Sequence, residues 1–103
     1  MVAITFMSEE FDFEWDPAKA EANFRKHKVR FEHAVLACED AFALIEQDTS
    51  EEYGEDRFIL IGRALDGILT VIYTERGERW RIISAREANE YERRTYYRAA
   101  QEE

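Results

Sequence analysis

The chain has a single cysteine, Cys38, so no internal disulfide can form, which fits a reducing cytoplasm. It has two histidines, His27 and His33, whose spacing of six does not place them on one helix face. Metal binding by histidine is therefore not expected. One proline and four glycines leave no phosphate-binding glycine loop, no dinucleotide fingerprint and no hydrolase serine elbow. No apolar run approaches the roughly 20 residues of a membrane span. Residues 1–10 lack a basic leader and a long apolar segment, so no secretory signal is expected.

What is present is enough for one folded domain. The chain has 103 residues, 46% of them apolar and 14% aromatic, so a packed core is feasible. Net charge is −9, unevenly spread. Residues 1–56 hold 5 basic and 15 acidic side chains; residues 57–103 hold 9 and 8, and every base there is arginine. Such a chain should not adsorb loosely to nucleic acid. A local arginine cluster could still hold a phosphate, because the guanidinium fork matches phosphate oxygens.

The pattern runs from helices to a meander. Val2, Ile4 and Phe6 alternate, either as an edge strand or as a disordered leader, and Phe11, Phe13 and Trp15 predict a short strand. Asp16-Pro17 predicts a capped helix to about His27, with Ala20, Phe24 and His27 on one stripe and Lys19, Asn23 and Lys26 on a polar one. Phe31, Ala34, Val35 and Cys38 predict a second short helix, with Cys38 in the core. A strand at 41–46 and a polar, acidic loop at 47–56 precede the segment RFILIGRALDGILTVIYTERGERWRIISAR (57–86). It carries six arginines and three acids.

That segment reads as three antiparallel strands. Asp66-Gly67 predicts a two-residue turn that pairs Leu65 with Ile68 and sets Arg57 opposite Arg76. A second turn near Arg76-Gly77 pairs Glu75 with Glu78 and Thr74 with Arg79. One face then carries Arg57, Ile59, Ile61, Arg63, Thr70, Ile72, Thr74, Arg76, Arg79, Arg81 and Ile83. The other, with Phe58, Leu60, Leu69, Val71, Tyr73, Trp80, Ile82 and Ser84, must pack under helices. Ser84 and Glu87 form a capping box that opens a last helix to about Ala100 and places Arg86 in its first turn.

Like charges opposed across a hairpin are destabilising, and a broken local rule tends to mark function. The arginine face is thus either an anion site or a set of surface ion pairs with acids such as Glu55, Asp56, Glu75 or Glu78. Arg86 is either an anion ligand or the partner of Glu87 or Glu90. His27 is either a general acid or base or a residue that ends its helix.

Four stretches in the same order carry a resemblance: FEWDPAKAEANFRKHKVRFEHA (13–34), GEDRFILIGR (54–63), YTERGERWRIISAR (73–86) and EYERRTYY (90–97). Together they closely resemble the BrnT family, toxins of type II toxin–antitoxin pairs. The resemblance implies an α+β, RelE-like fold, with N-terminal helices packed on an antiparallel meander and a C-terminal helix. It implies residues 11–100 as a single toxin domain, with 1–10 as an N-terminal extension. It implies a cytoplasmic ribonuclease that inhibits translation. The partner would be a BrnA-type ribbon–helix–helix antitoxin, through which alone operator DNA is bound. The positions it points to are His27, Arg57, Arg76, Arg81, Arg86 and Glu55 for catalysis and Lys26 for RNA binding; on the reading of the arginine face, Arg63 and Arg79 join Lys26 as RNA-binding residues. No cofactor or metal is expected, since arginines supply the positive charge. The rival expectation is a non-catalytic binding module whose arginine face docks an acidic or amphipathic partner.

Overall fold

The computed structural model describes residues 4–7, 12–65 and 67–101, the first group by its backbone alone. The expectations for Val2, Phe11 and Asp66 lie outside them. The chain order is β1 (Ile4–Met7), β2 (Asp12–Trp15), α1 (Pro17–His27), α2 (Phe31–Cys38), β3 (Leu44–Asp48), β4 (Arg57–Ala64), β5 (Gly67–Arg76), β6 (Arg79–Glu87) and α3 (Glu90–Gln101). The strands form one sheet, β1-β2-β6-β5-β4-β3, antiparallel except where β2 runs parallel to β6. Among the described residues no helix is long and apolar enough to cross a membrane.

Alternation along the strands divides the sheet into two faces. Leu60, Val71, Tyr73, Ile82 and Ala85 point to one side and join Phe31, Ala34, Val35, Ala37 and Cys38 of α2 in the main core. Phe13 and Trp15 of β2 are fully buried there. Gly62 is required by this contact: a Cβ would sit 2.3 Å from the carbonyl oxygen of Ala37. Burial pushes the Cys38 thiol up to about 12, with Glu39 adding to it, as suits a core residue and not a nucleophile. Ile61 and Ile68 point the other way and meet Ala88 and Tyr96, so α3 covers one end of the opposite face.

The helix starts follow their caps. Asp16 Oδ1 accepts from Ala18 N at 2.9 Å ahead of Pro17. No glycine ends α1; Lys28 takes the left-handed conformation itself, at φ 61°. Asn23 does not belong to a polar stripe. It is buried, donates to the carbonyls of Val29 (3.0 Å) and Ala85 (2.8 Å), and accepts from Ala85 N (3.1 Å). One amide thus ties α1, the following turn and β6.

Both hairpins differ from expectation by two residues. In the first, Ala64 pairs with Gly67 and Leu65 adopts φ 53°. Arg57 then opposes Thr74, and Ile59 meets Ile72. This register removes the direct Arg57–Arg76 repulsion and leaves the two as diagonal neighbours. In the second, Gly77 turns at φ 62° and Arg76 pairs with Arg79. A shift of two preserves which face each side chain occupies. A bulge then separates Tyr73–Ile82 from Ile72–Ser84. Ile83 is the extra residue, so Ser84 and Arg86 move to the arginine face and Ala85 enters the core.

The expected Ser84–Glu87 capping box does not form, because 84–87 complete β6. Five residues later Asn89 Oδ1 accepts from Glu92 N, and Glu92 Oε1 accepts from Asn89 N, each at 2.8 Å. That reciprocal pair opens α3.

Candidate functional site

The arginine face has two ends. Cross-strand pairing lines up Asp48, Arg57, Thr74, Arg81 and Glu14 in one row, with Arg76 and Arg79 in the next. Arg86 lies in the row of Thr70 and Ile61, four residues farther along β5, roughly 13 Å away at strand rise. The first group stands open at the β5–β6 turn. The second lies beneath α3.

At the open end, one carboxylate reaches two guanidiniums. Glu55 Oε2 lies 3.6 Å from Arg57 Nε and Oε1 lies 3.5 Å from Arg76 Nη2. Both separations exceed the ~2.8 Å of a well-formed charge-assisted bond. Arg57 Nε is a buried donor with no acceptor in hydrogen-bond range. The Arg57 guanidinium is stacked 4.1 Å from the ring of Tyr53, whose hydroxyl donates to Asp48 Oδ2 at 2.9 Å. Asp48 also holds the backbone N and hydroxyl of Ser50, and these bonds keep its carboxyl below the usual range. Thr74 Oγ1 donates to the carbonyl of Asp56 at 2.6 Å and fixes the loop end against β5. The polar loop is therefore a support for Arg57 and Arg76.

Other expected residues are placed differently. Arg79 pairs across the hairpin with Arg76 and is exposed, and among the described residues its side chain makes no hydrogen bond or ion pair. Arg81 Nε donates to Glu14 Oε2 at 2.7 Å, tying β6 to β2. Arg86 makes a two-pronged contact with Glu92, 2.7 and 2.9 Å. That fork holds the Glu92 carboxyl at about 2, against burial. So Arg86 is not in a helix first turn; it reaches one from the strand, and its carboxylate partner is Glu92, not Glu87 or Glu90, with Glu87 accepting only through its backbone carbonyl at 3.3 Å. Arg63 donates to the Tyr97 hydroxyl at 3.3 Å, beside α3. His27 and the exposed Lys26 end α1, on the opposite face of the sheet, and no described contact joins them to the arginines.

Geometry thus brings Arg57, Arg76 and Glu55 together, with Arg79 and Arg81 adjoining, and separates Arg86, Arg63, Lys26 and His27 from them. Tyr53, Thr74 and Asp48 are the supporting residues that sequence reasoning missed. The one signal was an aromatic ring inside an otherwise polar loop. Among the described residues no group of three or more His, Cys, Asp and Glu side chains is placed to hold a metal ion. Chemically, the open end presents two convergent guanidiniums, one of them rigidly backed, to an anion.

A family model described as ribonuclease toxin, BrnT, of type II toxin-antitoxin system matches residues 15–92. No curated protein matches the chain.

Proposed function

Because the chain belongs to the BrnT family of ribonuclease toxins of type II toxin–antitoxin systems, we propose that the open end of its arginine face is where an RNA phosphate is bound and cleaved. The ribose 2′-oxygen attacks the adjacent phosphorus and the bond to the 5′-oxygen of the next nucleotide breaks. Arg57 and Arg76 neutralise charge on the equatorial oxygens as it develops. Arg81, held by Glu14, and the exposed Arg79 add positive potential beside them. The reaction is metal-independent, since the guanidiniums supply that charge. RNA cleavage arrests translation, and a BrnA-type ribbon–helix–helix antitoxin silences the toxin by covering this face and brings it to operator DNA. The RelE-like description of the fold belongs to the same proposal.

The observation that carries this reading is the pairing at Glu55: two arginines converge on one small anion, loosely, with a buried Arg57 donor left over. A buried donor short of an acceptor is costly, and a ligand oxygen would satisfy it. His27 ends α1 on the other side of the sheet and is not placed to take the 2′-hydroxyl proton; that proton passes to solvent water, which also protonates the departing 5′-oxygen.

Purified protein without its partner, incubated with RNA in EDTA, tests the proposal. Cleavage that disappears in Arg76→Ala while the fold persists supports it. Intact RNA with the wild type, together with normal growth on induction, leaves only a docking face for a partner.

A further inference from the structure

Glu55 is held in place by its backbone and not by its side chain. Gly54 before it has φ 76°. Asp56 after it is anchored through its carbonyl to Thr74 Oγ1 and through Oδ1 to Gln47 Nε2 at 3.1 Å. The carboxylate itself is about one third exposed and lies at 3.5 and 3.6 Å from its two cations. One oxygen addresses Arg57 and the other addresses Arg76. This is how two non-bridging oxygens of a single phosphate would be shared between two guanidiniums. A phosphate in that position and a carboxylate in that position exclude each other, by volume and by charge.

We infer that Glu55 is an internal anion that occupies the phosphate position on Arg57 and Arg76 and sets the affinity of the site for RNA, and is not the proton carrier. This rests on the reading of the arginine pair as the phosphate site. The incoming phosphate displaces Glu55, whose two loose, part-exposed contacts are given up. Glu55 then stands beside the bound phosphate as a like charge, among Glu51, Glu52 and Asp56 of the same loop. A loop that backs Arg57 through Tyr53 while opposing anions through Glu55 makes the site selective. A weakly held phosphate fails to displace the carboxylate, and a well-seated one succeeds.

The test uses an RNA oligonucleotide with 2′-O-methyl groups, which binds and cannot be cleaved, in fluorescence anisotropy at fixed low salt. Glu55→Gln keeps the shape and removes the charge. It is expected to bind the oligonucleotide about tenfold more tightly than wild type, the scale of two exposed ion pairs removed from competition. Arg76→Ala in the Glu55→Gln background is expected to erase most of that gain. Unchanged or weaker binding by Glu55→Gln overturns the inference. So does single-turnover cleavage of unmodified RNA that falls by about a hundredfold or more in Glu55→Gln despite full binding, because that is the mark of a lost acid or base. If Arg57→Ala and Arg76→Ala both bind as wild type does, the phosphate site itself is elsewhere. Only that last result fails the underlying reading as well.

Discussion

Arg76 and Arg86 lie on the same face of the same sheet, each near a glutamate, and the two pairs differ in kind. Under α3, Arg86 grips Glu92 with two short bonds, and Glu92 is bonded again by Asn89 N. At the open end, Glu55 is shared between Arg57 and Arg76 at separations too long for a strong bond. A forked, multiply bonded arginine belongs to the fold. A loosely paired one beside a buried unsatisfied donor is available to a ligand. Residue type and face alone do not separate these roles; pairing geometry does.

The largest expected effect lies at the open end. Arg57→Ala and Arg76→Ala are each predicted to lower RNA cleavage by about 10²–10³, the usual scale for one lost charge-stabilising donor. Their unfolding midpoints in urea should stay close to wild type, since Glu55 loses only a weak, part-exposed partner. A large loss of stability in either would break the contrast.

Next comes the anchor beneath the covered end. Asn23→Ala removes three hydrogen bonds from buried backbone groups of Val29 and Ala85 and should cost about 3 kcal/mol in urea unfolding. Glu92→Gln should cost about 2 kcal/mol, by weakening the Arg86 fork at a carboxylate that is largely buried. The pH dependence has a definite sign. Glu92 titrates at about 2 in the folded protein, below its ordinary 4.5. Its contribution is complete above pH 4.5 and is lost as pH falls toward 2. The stability gap between wild type and Glu92→Gln should therefore narrow over that window. A gap that stays constant would remove the fork from the account.

The smallest effect is expected at Arg79, exposed and opposite Arg76. Arg79→Ala should weaken RNA binding by about threefold and leave stability unchanged. A loss comparable to that of Arg76→Ala would move the site toward the tip of the hairpin.

Much of the architecture was legible in the sequence. Asp16-Pro17, the Phe31–Cys38 stripe and the alternation in 57–82 each state a local preference that the fold obeys. Face assignments through Ile82 survived two wrong registers because each error was an even number of residues; Ser84 changed face at the bulge. What was not legible is non-local. The bulge at Ile83 depends on Ala85 fitting the core against α1, and that decision moves Arg86 across the sheet. Ser84–Glu87 and Asn89–Glu92 are both acceptable capping boxes; sheet completion chose the second. Asn23 reads as polar surface until its partner Ala85, 62 residues away, is known. For the site, the arginines were visible as a face, but their division into two ends was set by α3 and by the loop carrying Tyr53 and Glu55.

The most direct test compares Arg76→Ala with Arg86→Ala in two assays on the same preparations, urea unfolding and single-turnover RNA cleavage in EDTA. The account predicts that Arg76→Ala loses cleavage by about 10²–10³ at unchanged stability, while Arg86→Ala loses about 2 kcal/mol of stability and, at temperatures where it remains folded, cleaves within about threefold of wild type. The opposite pattern, with folded Arg86→Ala inactive and Arg76→Ala active, would contradict it.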